Sequence, residues 1–234
     1  MCFDEETSLG VFSIGLTSSI ILLRNGITNK NKSDIFFSCV TFLISLMQLN
    51  EYFLWRNQKC DNKNKFWSIM IIFVLYLQPI ISILLLKKLY YSNIFLQNNI
   101  LYFFMIIYTI ISVYFIYFLS KTNVCSKPQN SKRLEWNALT KLFDNKTILF
   151  LLWLCLYIFL CFFCYLIFFL KNNKNIQLKD ILGNYPLRIL FIPISFLYVI
   201  FSQTKNYNIF RPDIYGSLWC FISVFIGPIS LTYL

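Results

Sequence analysis

Apolar residues in this chain gather into seven long runs separated by polar gaps. The runs cover Ser8–Leu23, Ile35–Trp55, Phe66–Leu86, Phe95–Leu119, Thr147–Leu170, Pro186–Gln203 and Ile214–Leu234. A helix rises about 1.5 Å per residue, so about 20 apolar residues carry it across the hydrocarbon core of a bilayer. Only a helix hides its own backbone amides there over a single run. The pattern predicts an all-α integral membrane bundle of seven transmembrane helices. The gaps are too short for a second folded unit, so residues 1–234 read as one transmembrane domain.

Polar positions inside the runs carry more information than the runs themselves. The second has a stripe at helical spacing, Ser38, Thr41, Ser45, Gln48 and Tyr52, with Glu51 beside it one turn before Trp55 and Arg56. Glu51 is the one acid well inside a span. Intramembrane acids are costly and often functional, although one turn from the interface a carboxylate can also snorkel or pair with a nearby base. The sixth run carries Arg188, Ser195, Tyr198 and Ser202, with Pro193 predicted to kink it. The third holds Gln78-Pro79 near mid-membrane, where Pro79 would free the carbonyl of Leu75 four residues back. Such a break survives where it is buried in protein or lines a wet cavity.

Two runs carry small residues suited to close helix packing. Gly216, Cys220, Ser223 and Gly227 recur along one face of the seventh, and Gly15 and Ser19 form a small-xxx-small pair in the first. This places both helices inside the bundle, with contact between them as one arrangement. The fifth run is Leu, Phe and Cys on every side, which predicts a peripheral, lipid-facing helix.

Composition changes the picture only in detail. The chain is 58% hydrophobic and 20% aromatic, and its net charge is +11. That charge sits in the gaps and forms no basic module of a nucleic-acid-binding kind, so nucleic acid is excluded as a partner. The lipid bilayer, and anionic lipid head groups in particular, are the partners it suits. A homo-oligomer is left open. Alanine occurs once, at Ala138, beside abundant Phe, Ile, Asn, Lys and Tyr, a skew that follows AT-rich codons. The start is acidic (Asp4, Glu5, Glu6) where a signal peptide would be basic, so the first run reads as a retained helix.

Seven crossings put the termini on opposite sides. The side of Met1, called the near face, carries twelve Lys and Arg against nine on the far face, and six of the twelve lie in the gap between the fourth and fifth runs. The charge step across the first run, acidic before and basic after, points the other way and favours an exoplasmic or lumenal N-terminus. Sequons at Asn31 and Asn145 lie on opposite faces. Cys2, Cys60 and Cys125 fall on the near face, and in an oxidising compartment a Cys60–Cys125 disulfide would join two loops. Unpaired thiols are the alternative. Cys161-x-x-Cys164 lies mid-helix and the chain has no histidine, so no metal site and no cofactor is expected.

Five motifs together resemble an uncharacterised family of small multi-pass membrane proteins from bacteria and large DNA viruses. They are Met1-Cys2-Phe3, Gln48-x-x-Glu51-x-x-x-Trp55, Gln78-Pro79, Leu134-Glu135-Trp136 and Ser217-Leu218-Trp219-Cys220. The chain departs from that pattern at Asp4, usually Ser, and at Trp136, where another aromatic such as Tyr is more usual. The resemblance implies the multi-pass fold and leaves activity open. Laid on the topology, Cys2, Glu51, Trp55, Glu135, Trp219 and Cys220 converge on the near face, with Gln48 one turn and Gln78 several turns deeper. They suit a polar, aromatic-walled pocket, or equally an interfacial Trp belt with packing residues. The far face reads as plain connectors.

Three classes of function remain open. Solute or ion transport would use Glu51 and Gln48, with the Gln78-Pro79 break lining the path. A non-catalytic membrane or assembly protein would use the small-residue stripes to hold partners. A lipid-modifying enzyme would have to work without histidine, the commonest general base, through acids and Cys2 or Cys220. Retinal-type chemistry is excluded because the seventh run has no lysine.

Overall fold

The computed structural model describes residues 4–90, 99–128, 134–172, 222 and 224–232. Within them, α1 spans Glu5–Thr28, α2 Lys32–Arg56, α3 Asn62–Tyr90, α4 Asn99–Lys121 and α5 Asn137–Asn172. A short helix, α6, covers Ile226–Leu231. Among the described residues five helices are long and apolar enough to cross a membrane, and the fold there is all-α apart from one two-residue ladder. That ladder pairs β1 (Lys127–Pro128) antiparallel to β2 (Leu134–Glu135), between α4 and α5. The sixth run, Pro186–Gln203, and the start of the seventh, with Gly216, Trp219, Cys220 and Ser223, lie outside the described residues, as does Cys2.

Helices α1, α2, α3 and α5 extend past both ends of the apolar stretches that announce them, and polar flanking residues cap α1 and α2. Asp4 caps α1, accepting from the Thr7 backbone N–H at 2.7 Å, and that bond holds its carboxyl below the usual carboxylate range. Asn31 caps α2 by accepting from Ser33 N–H. The largest extension is α5, which starts ten residues before the apolar run, at Asn137, and bends at Lys146 (φ −139°, ψ 41°). Its first turns bury Ala138, Leu139 and Leu142 against the bundle. The gap expected between the fourth and fifth spans is therefore half helix.

Two clusters of helices make up the bundle. In one, α1 lies along α2 with α6 against both; in the other, α3, α4 and α5 pack mutually; α2 against α3 joins them. Glycine and serine set the first cluster. A Cβ on Gly15 would sit 2.7 Å from Ser45 Cβ and 2.9 Å from Val224 Cγ1, and one on Gly227 would sit 2.7 Å from Thr41 and 2.8 Å from Ser18. Val224 thus lies level with Gly15 and Gly227 with Ser18, so α6 runs parallel to α1, from near side to far. Ser19 and Ser38 close the contact reciprocally: each hydroxyl donates to the other's carbonyl, at 2.9 and 2.8 Å. The polar stripe of α2 is hence a helix–helix seam over Ser38, Thr41 and Ser45, all buried.

The far face is more than connectors. Asp34 is almost fully buried (1% exposed) at the α1–α2 turn, where it accepts from the amides of Asn25 at 2.6 Å and Asn31 at 2.9 Å. Gly26 lets Ile35 approach, its notional Cβ being 2.7 Å from Ile35 Cγ1. The fifth run also differs from its uniform sequence: α5 buries Phe150, Trp153, Leu156, Tyr157 and Leu160 and turns Ile148, Leu151, Leu152 and Phe159 outward. Hydropathy does not distinguish these two faces. Phe and Leu occur on both, and only the indole of Trp153 and the hydroxyl of Tyr157 mark the buried one.

Overpacking a close helix contact costs about 1–3 kcal/mol. Gly15→Leu and Gly227→Leu are each expected to lower the melting temperature in detergent, whereas Gly10→Leu, whose Cβ meets nothing within 4 Å, leaves it unchanged. Equal melting of all three variants would show that the α1–α2–α6 contact is not close.

Candidate polar site at the near face

Glu51 sits on α2 just over one turn from the Arg56 end, and its side chain is completely buried. Its Oε1 accepts a hydrogen bond of 2.9 Å from Trp136 Nε1. Burial of the carboxyl removes the snorkelling reading. The base nearest in sequence, Arg56, is turned outward, where it meets Glu5 at 3.3 Å and Tyr52 Oη at 2.9 Å. Gln48, buried, and Trp55, half-buried, flank Glu51 one turn to either side on the same helix face. The Trp55 indole nitrogen is buried with no acceptor among the described residues. Glu135, next to Trp136, is buried on β2 opposite Lys127.

Trp136 reaches Glu51 because the chain between α4 and α5 is clamped onto the head of α3. Ser126 is the pivot. Its N–H donates to Asn64 Oδ1 at 2.9 Å, its carbonyl accepts from Asn64 Nδ2 at 2.7 Å, and its hydroxyl accepts from Ser68 at 2.8 Å. The same hydroxyl takes the Asn137 N–H that opens α5, while Asn137 Oδ1 accepts from Cys125 N–H. Asn64 also donates to the carbonyl of Asn57 just past α2. A Cys60–Cys125 disulfide, with Cα atoms 5.1 Å apart, bolts the loop before α3 to the segment just after α4. The strap is therefore fixed covalently at one point and by buried polar bonds at several. Asn64 and Ser68 are one turn apart at the start of α3, a signal legible in sequence only once a partner for them is known.

Gln78 is in a different place. It lies deep between α3 and α5, where its Oε1 accepts from Tyr157 Oη at 2.5 Å. Pro79 leaves the Leu75 carbonyl without its helical donor, and Tyr108 of α4 replaces that donor at 3.0 Å. Around it Trp153 Nε1 donates to the Ser112 hydroxyl, and Ser112 donates to the Tyr108 carbonyl. Tyr76, Tyr108, Trp153 and Tyr157 stack in one column with ring centroids 5.9–6.0 Å apart. Two tyrosine hydroxyls thus answer the carbonyl that the proline frees and the Gln78 side-chain oxygen beside it. The Gln78 amide nitrogen is buried without a partner among the described residues.

The structure thus brings Glu51, Gln48 and Trp55 together with Trp136 and Glu135, and leaves Gln78 apart. Cys2, Trp219 and Cys220 fall outside the described residues. Among the described residues no group of three metal-ligating side chains occurs. No protein-family model, curated protein or solved structure matches the chain.

The Tyr108 bond can be isolated by a double-mutant cycle. Tyr108→Phe is expected to destabilise by about 1 kcal/mol, the usual scale for an interhelical bond in lipid. In a Pro79→Ala background the position 79 N–H restores the helical bond to Leu75, so the Tyr108→Phe cost falls towards zero. A cost unchanged by Pro79→Ala, read from denaturant unfolding, would sever the two residues.

Proposed function

We propose that this chain is a seven-span integral membrane protein that moves a small polar solute or ion, with Glu51 as its polar site. The observation that carries the reading is Glu51 itself: a carboxyl with no exposure, on an apolar helix, held by an indole from a separate strap. Burying a carboxylate in a bilayer is costly, and such acids mark ion and proton pathways by default. The seven-span count rests on direction. With α5 running away from the near face and α6 running parallel to α1, the chain between them has to return, and Pro186–Gln203 is the apolar run available for it. The near-face disulfide supports an exoplasmic or lumenal N-terminus, since disulfides persist in oxidising compartments.

A second reading, a non-catalytic membrane or assembly protein, is favoured by one observation. The Ser19–Ser38, Asn64–Ser126 and Gln78–Tyr157 pairs are answered within the bundle, as a rigid scaffold requires.

Purified protein in liposomes decides between them. The transport reading expects proton or small-solute flux above protein-free vesicles, abolished in Glu51→Gln and altered in Trp136→Phe. Full flux in Glu51→Gln, or none in the wild type, would overturn it. Orientation is read separately in intact cells. After reduction, a membrane-impermeant maleimide is expected to leave Cys60 unlabelled when the plasma membrane alone is permeabilised, and to label it from the cell exterior or once internal membranes are opened; labelling from the cytosol reverses the assignment.

A further inference from the structure

Four lysines from three helices gather around the near-face end of α4. Lys65 of α3 donates to the Ser120 carbonyl at 2.7 Å, and Lys141 of α5 donates to the Asn123 carbonyl. The Lys146 ammonium lies 5.7 Å from the centroid of Phe118, and that of Lys121 lies 5.8 Å from the centroid of Tyr117. The carbonyls at a helix C-terminus and the ring faces explain why each lysine settles there. They do not explain four positive charges in one place. Two acids lie within a turn of them in sequence, Asp144 on α5 and Asp61 just before α3; both are exposed, and among the described residues neither forms an ion pair with any of the four. Below the lysines, on the lipid side, Tyr117, Val113 and Ile148 are exposed, the last at 86%.

We propose that this lysine cluster is a binding site for the phosphate of a phospholipid head group, with the acyl chains lying along the exposed faces of α4 and α5. Each ammonium has three donors. Lys65 and Lys141 spend one apiece on main-chain carbonyls, and Lys121 and Lys146 spend none on a hydrogen bond, so most of the donors are left for an acceptor from outside the protein. The ring contacts set those two ammoniums at the level of interfacial aromatics, where head-group phosphates are. Attraction of a lysine to an anionic lipid surface is about 1 kcal/mol each, so four acting on one phosphate select it over an uncharged head group. The site stands independently of the transport reading, because none of its residues touches Glu51 or Trp136.

The test is lipid retention by the whole protein, measured by native mass spectrometry after extraction from bilayers of phosphatidylglycerol mixed with diacylglycerol. Wild-type protein is expected to keep phosphatidylglycerol and shed diacylglycerol. Lys121→Gln/Lys146→Gln, which breaks no hydrogen bond of the fold, is expected to weaken that retention by about tenfold or more. Lys87→Gln/Lys88→Gln on the far face leaves it unchanged. Adding Lys65→Gln and Lys141→Gln deepens the loss, read only if the melting temperature is kept. Equal retention by the two double variants, or equal retention of the two lipids by the wild type, overturns the proposal. Binding of inorganic phosphate alone as tightly as phosphatidylglycerol would assign the cluster to a soluble anion and overturn the lipid.

Discussion

Lipid gives one apolar helix no reason to touch another, and every contact in this bundle has to be made in spite of that. Hydrocarbon around a leucine is as good a neighbour as a second leucine. What remains is backbone approach at small residues and hydrogen bonds that lipid cannot supply. Both are visible. Gly15, Gly227 and the Ser19–Ser38 exchange bring α1, α2 and α6 together, and Tyr108, Trp153 and Tyr157 tie α3, α4 and α5. The apolar residues that dominate the composition fill the space those bonds define.

The same constraint explains what could be read from the sequence. Length and hydropathy are properties of single segments, so the first five spans, the all-α class and the proline-freed carbonyl of Leu75 were legible. Partners are properties of pairs. Nothing in the run around Tyr108 marks it as the donor to Leu75, and nothing around Ser126 marks it as the pivot for Asn64, Ser68 and Asn137. The β1–β2 ladder and the early start of α5 were hidden for a related reason: their residues are ordinary loop types whose structure comes from the clamp on α3.

At the candidate site the sequence found the acid and missed its environment. Glu51 stands out because charge is rare in the spans, and Gln48 and Trp55 follow from helical spacing. Whether the carboxyl faces water, a base or an indole depends on where residue 136 lies, 85 positions later. The far-face acid Asp34 shows the converse. In sequence it belongs to a polar turn, and in the fold it is nearly as buried as Glu51, held by two asparagine amides. One acid closes a turn with two amides from its own neighbourhood, and the other is met by an indole from a distant strap.

The Cys60–Cys125 bond has a consequence for how the protein is made. Its two sulfurs are 65 positions apart, and the ring they close contains all of α3 and α4. Synthesis delivers Cys60 to one side of the membrane long before Cys125 exists. The second thiol reaches that side only after α3 has crossed and α4 has crossed back. Oxidation therefore records that α3 and α4 have crossed as a pair: a chain in which only one of the two has crossed cannot form it. A covalent ring around two crossings also means that neither helix can later leave the bilayer without the other.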